Sequence, residues 1–346
     1  MRKRFLAFLV LLIVIITCNA MLVACSKDGS DEPDDASKTI YTRVNEDSSE
    51  DGNGNYILFG SYPQSKVTDE TLTSALTNLA GTLPTEDNNQ AWTSYGYYME
   101  KSVKNYMWYI DKEYNGVKYR GVYFTSYRPW YCAKSNSTDY TYQNDNGYYI
   151  STVYWFKYEP IKWRILKESD GKALVIADLA IDSQQYYHST SNRTVEGNTV
   201  YPNNYAESDI RKWLNDTFYN TAFTSLQKDL IEITNVDNSA SSAGYSSNQF
   251  ACENTNDNVF LLSYMDVTTY LTSNSERQMK SSDYAKSQGI QASSSYGRAC
   301  WWWIRSPGNT DSIYGRLVFS DGDKISTSYV DYNCYGVLPA LWIKLA

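Results

Sequence analysis

Between Trp301 and Ile343 two apolar ends bracket a polar middle, and no other stretch limits so tightly what the chain can fold into. The first end sets Trp301, Trp302 and Trp303 beside Arg305 and breaks at Ser306-Pro307-Gly308, where a missing N–H and a permissive φ predict a turn. The second end, Gly336 to Ile343, reads as a closing strand. The indoles are expected in the core, with Arg305 meeting backbone carbonyls. The middle supplies Asn309, Asp311, Tyr314, Arg316, Phe319, Tyr329, Asp331, Tyr332, Asn333 and Tyr335 on short strands and turns. Stiff tyrosines beside adaptable Asn, Ser and Gly make the composition of a recognition surface. Alternation about Val330 predicts that Tyr329, Asp331, Asn333 and Tyr335 face solvent.

A chain of 346 residues with 42% hydrophobic content can bury a sizeable core in one or two domains. Its outlying feature is aromatic, with 33 Tyr, 10 Trp and 10 Phe. A net charge of −8 gives no general basis for phosphate attraction, so no nucleic-acid partner is expected.

The N-terminus reads as an address. Arg2-Lys3-Arg4 is a basic region, Phe5 to Thr17 an apolar one, and Leu22-Val23-Ala24-Cys25 carries small residues before cysteine. That pattern resembles bacterial lipoprotein signals, which implies removal of residues 1–24, lipid attachment at Cys25 and an extracytoplasmic envelope protein anchored to the membrane. Residues 25–54 are polar and acidic, and read as a solvated tether. Cys132, Cys252, Cys300 and Cys334 remain for the folded part. Four cysteines allow three pairings. Cys300–Cys334 is the favoured one because both flank the tail; buried thiols are the alternative. With no Cys-x-x-Cys and one histidine, His188, no zinc site or other cofactor is expected.

Along residues 55–346, Tyr56 to Gln64 predicts a strand, and Leu72, Ala75, Leu76 and Leu79 predict a helix stopped by Gly81. Residues 90–157, approximately, form a Tyr-rich, strand-rich insertion that includes a hairpin at Asn115-Gly116 and a polar loop from Ser135 to Gly147. Tyr158 to Leu166 and Ala173 to Ala177 read as a hairpin joined by Asp170-Gly171. Ser208 caps a helix carrying Ile210, Trp213, Leu214 and Phe218. Thr224 to Gln227 is a capping box for a second helix with Leu226, Leu230 and Ile231 turned inward. Asn258 to Ser263 reads as a strand feeding a helix from Tyr264 to Leu271, and Asp283 to Gln288 as a last turn closed by Gly289. Strands, then helices, then returning strands predict an α+β fold.

Phe59-Gly60-Ser61-Tyr62-Pro63-Gln64, Ile161 to Leu166, Ile210 to Asn215, Val259 to Ser263 and the tail from Trp302 to Ile343 resemble a family of uncharacterised bacterial extracytoplasmic domains. The tail is similar to that of formylglycine-generating-enzyme-like C-type lectin folds, including retroelement-diversified variable proteins. The resemblance implies a C-type-lectin-like domain whose final strands bind an extracellular protein or glycan. Ligand contacts then fall on Asn309, Tyr314, Arg316, Phe319, Tyr329, Asp331, Tyr332, Asn333 and Tyr335. Ile304 and Leu338 replace the family's usual Leu and Arg, so an anion contact at 338 does not carry over. Cys300 and Cys334 lack the close spacing of the copper-binding pair in formylglycine-generating enzymes. His188 reads as a surface loop residue, Trp213-Leu214-Asn215-Asp216 only mimics a calcium-lectin signature, and Asp321-Gly322-Asp323 reads as a hairpin turn. An envelope structural protein and a glycan-active enzyme with paired carboxylates are the alternative readings.

Overall fold

The computed structural model describes residues 40–47, 54–95, 106–129, 142–323 and 325–345, all within the compact unit Ser37–Ala346. The signal segment, Cys25 and Cys132 lie outside the described residues. The described part is strand-rich with few helices, which is compatible with the expected α+β class.

Nine strands form one antiparallel sheet. Its spine is Tyr154–Ser169, which pairs with Tyr56–Lys66, Val117–Phe124 and Lys172–Ala177. Met107–Tyr114 and Thr93–Ser94 extend it at one side, so strands of the Tyr-rich region continue the main sheet. At the other side the tail strand Ala340–Lys344 lies between Lys172–Ala177 and the short edge Ile231–Glu232. Both expected two-residue turns are present. Asn115 and Gly116 sit at φ 50° and 75°, and Asp170 and Gly171 at 54° and 70°, the positive values that tight hairpins demand. The folded part starts before Tyr56: Thr42–Val44, inside the stretch expected as a solvated tether, pairs with Tyr56–Leu58, and Val44 is buried.

A second sheet of five strands is ordered Ile325–Tyr329, Tyr314–Val318, Trp302–Pro307, Gly336–Val337, Asp182–Ser183. Successive side chains of a strand point to opposite faces. Accordingly Trp303 and Leu317 enter one hydrophobic cluster, while Trp302, Ile304 and Val318 enter another. The run expected as one closing strand is two, Gly336–Val337 in this sheet and Ala340–Lys344 in the large one, so the tail ties both sheets together. Each fully buried indole contributes roughly 1.5–3 kcal/mol.

The helices begin where their caps predict. Asp69, Ser208, Thr224, Ser263 and Ser282 each accept from a first-turn N–H. Gly81, at φ 74°, ends Glu70–Ala80. Three expectations fail locally. Leu226 is 67% exposed, because Ser225–Leu230 is a single short helix packed beside an edge strand. Val259 to Ser263 is buried but makes only one bridge, Phe260 to Ala340, since Asn215 occupies the N–H groups of Asn258 and Val259. Tyr142–Asp145 forms one helical turn inside the stretch expected as a loop.

Many of the described tyrosines are buried in this core. Tyr62 donates to Asp182 at 2.8 Å, Tyr158 donates to Asp111 at 2.8 Å, and the Tyr95 and Tyr284 hydroxyls meet at 3.0 Å. Buried Arg120 grips Asp111 with two hydrogen bonds of 2.8 and 2.9 Å and lies over the Tyr109 ring at 4.3 Å. Burial opposes ionisation of Asp111, but the Arg120 hydrogen bonds and charge hold its carboxyl below the usual range.

Candidate functional site

The candidate site grows from the outer hairpin of the second sheet, where Tyr314 faces Tyr329 across the strands. Their rings are 5.0 Å apart, Tyr329 to Tyr332 is 5.2 Å, and Tyr332 to Tyr335 is 6.1 Å. From Tyr335 the contacts pass to Trp301 at 5.6 Å and on to Phe319 at 4.2 Å, both nearly parallel. Six aromatic rings thus form one continuous chain of contacts. Tyr329 is its exposed member at 37%, and Tyr314, Tyr332, Trp301 and Phe319 are half-buried. Trp301 is fixed by an N–H bond to the Ser320 hydroxyl at 3.2 Å.

Three of the four residues expected to face solvent about Val330 do not. Tyr335 is 3% exposed and its hydroxyl meets that of Ser328 at 2.9 Å. Asn333 is 1% exposed, and its carbonyl accepts from the Ser183 hydroxyl. Asp331 is 7% exposed, with one carboxylate oxygen lacking a hydrogen-bond partner among the described residues; burial pushes its carboxyl above the usual range. The alternation fails because the strand ends at Tyr329 and the chain turns. Val330 there accepts the N–H groups of Tyr186 and Tyr187. Arg316 is buried as well: it donates to the Ala243 carbonyl at 2.6 Å and lies over the Tyr264 ring at 4.0 Å, so it fastens the sheet to the helix Tyr264–Tyr270. Asn309 is exposed.

Beside Trp301 opens a cleft of about 520 Å³ that the tail alone did not announce. Asp145 and Asn146 border it from one segment, and Gln291, Ser293 and Arg298 from another. Arg298 is exposed and held at φ 64°, next to Gly297 at 58°. The run Ser293-Ser294-Ser295 before Tyr296-Gly297 was its one sequence signal, and a loop was all it could indicate.

His188 is exposed and paired with Asp209 at 2.8 Å, whose hydrogen bond raises the imidazole pKa. No cluster of three potential metal-ligating residues occurs among the described residues. Cys300 and Cys334 are not joined: both are buried thiols, and burial pushes that of Cys300 up to about 12. Arg305 meets the carbonyls of Leu261 and Asp237 and the Asp266 carboxylate, the role expected for it.

Comparison with curated proteins and with solved structures gave no match. A family model described as a domain of unknown function, DUF6273, matches residues 170–345, which holds the second sheet and its aromatic chain but leaves out the strands from Tyr56 to Ser169. With half of its length under that model, the chain belongs to the DUF6273 family.

Proposed function

We propose that this chain is a lipid-anchored, extracytoplasmic binding protein of the bacterial envelope, whose C-type-lectin-like C-terminal face recognises an extracellular protein or glycan. The observation that carries the reading is the aromatic chain from Tyr314 to Phe319, which joins the exposed Tyr329 through half-buried rings to the buried Tyr335. Such an array offers stiff amphipathic rings whose buried members fix the outer ones, so little side-chain freedom is lost on binding. Asn309, Tyr314, Phe319, Tyr329 and Tyr332 are the accessible contacts, and buried Tyr335 packs against Tyr332 and Trp301 behind them. The similarity of the tail to formylglycine-generating-enzyme-like lectin folds and variable proteins supports the same face. Leu22-Val23-Ala24-Cys25 supports the anchor.

The test is a glycan and peptide array probed with the purified full-length protein. Saturable capture of one ligand class is expected. Concentration-dependent self-association without a saturable ligand would contradict the reading and favour a structural role in the envelope.

A further inference from the structure

The cleft beside Trp301 narrows what the ligand can be. Its border carries the Asp145 carboxylate, the Gln291 side-chain amide and the Arg298 guanidinium, none of these side-chain groups with a hydrogen bond or ion pair to protein among the described residues. Asn146 spends its N–H groups on the carbonyls of Lys286 and Ile290, which leaves its amide oxygen available. Planar groups of this kind bind two atoms at once. Adjacent hydroxyls on a sugar ring present donors and acceptors at a matching spacing. The aromatic wall is rigid, because Trp301 is stacked with Phe319 and Tyr335 and hydrogen-bonded to Ser320.

Size and charge decide between ligand classes. A concave site of about 520 Å³ lies within the roughly 300–1,000 Å³ of small-ligand pockets, whereas a protein partner generally meets a broad surface. Apolar ligands call for a mainly hydrophobic lining, and this border is polar. One carboxylate balances one guanidinium, on a chain of net charge −8, so nothing selects an anion.

We infer that the cleft is a binding subsite for a neutral saccharide. The inference rests on the recognition role proposed above and gives its ligand a chemical class. Arg298 and Gln291 hold ring hydroxyls, and Asp145 and the Asn146 oxygen accept from them.

The full-length protein in a sugar-free zwitterionic detergent is titrated with cellotetraose, maltotetraose, xylotetraose and chitotetraose, followed by tryptophan fluorescence and saturation-transfer NMR. At least one is expected to bind, with affinity falling tenfold or more in both Gln291→Ala and Arg298→Ala while melting temperature stays unchanged. Four results would overturn the inference. Binding that survives both substitutions but is lost in Tyr329→Ser moves the sugar to the aromatic face and leaves the recognition role standing. Capture of a polypeptide with none of the four sugars bound does the same. Preference for an acidic hyaluronan tetrasaccharide removes the neutral class. Absence of any ligand on the array or in the titrations overturns the role and the subsite together.

Discussion

Tyr329 and Tyr335 carry the same side chain at opposite extremes of exposure, 37% and 3%. Replacing Tyr335 with Ser removes a ring packed on Trp301 and edge-on to Trp303, and is expected to cost about 3 kcal/mol or more. Tyr329→Ser should stay within roughly 0.5 kcal/mol, as exposed substitutions do. Urea melts of the two variants check this; equal losses would contradict the assigned burial. Sequence alternation placed both outside because it had no means to see that the strand stops at Tyr329. It reached the aromatic face but missed the cleft, whose Asp145 and Arg298 come from segments far apart in the chain. A second residue-scale prediction concerns Asp182, whose carboxyl burial drives up to about 6 against hydrogen bonds from Ser183 and Tyr62. A raised acid pKa means that the folded state binds the extra proton, so its contribution favours folding at low pH and is lost as pH rises through about 6. The stability of wild type relative to Asp182→Asn should therefore fall by roughly 2–3 kcal/mol between pH 4 and pH 7. Denaturant midpoints across that range measure it, and a difference that is flat or rises with pH would sink the assignment.

At the scale of elements, turns and caps were the most legible features because their chemistry is local. Asn115-Gly116, Asp170-Gly171 and the helix starts at Ser208, Thr224 and Ser263 all stand where the residues placed them. The stretch from Val259 to Ser263 misled because buried apolar runs look alike whether or not a neighbour completes a ladder. Only tertiary structure supplies that neighbour. The division of the tail between two sheets was equally hidden, whereas the glycine at Gly336 is explained by close packing. A Cβ there would stand 2.8 Å from the Ala180 Cβ, 3.0 Å from Ile290 Cδ1 and 3.2 Å from the Cys300 sulfur. Gly336→Ala is expected to destabilise by about 1–3 kcal/mol through overpacking. Thermal melts decide, and an unchanged Tm would mean that the packing around Gly336 is loose.

For the molecule as a whole, the functional reading joins an anchor at one end of the chain to a recognition face at the other. Cys25→Ala tests the first, with an expected loss of palmitate labelling and release of the protein from the membrane fraction. Retention in the membrane by a native protein that takes no label would refute lipid attachment. The face is the more central claim, and it is tested most directly by measuring binding and melting together. Tyr329→Ser and Tyr332→Ser are each compared with wild type against the ligand recovered from the array. Affinity should fall about thirtyfold in at least one variant, corresponding to roughly 2 kcal/mol, with melting temperature unmoved. Unchanged affinity in both, with melting also unchanged, would show that the aromatic face is not where this protein binds.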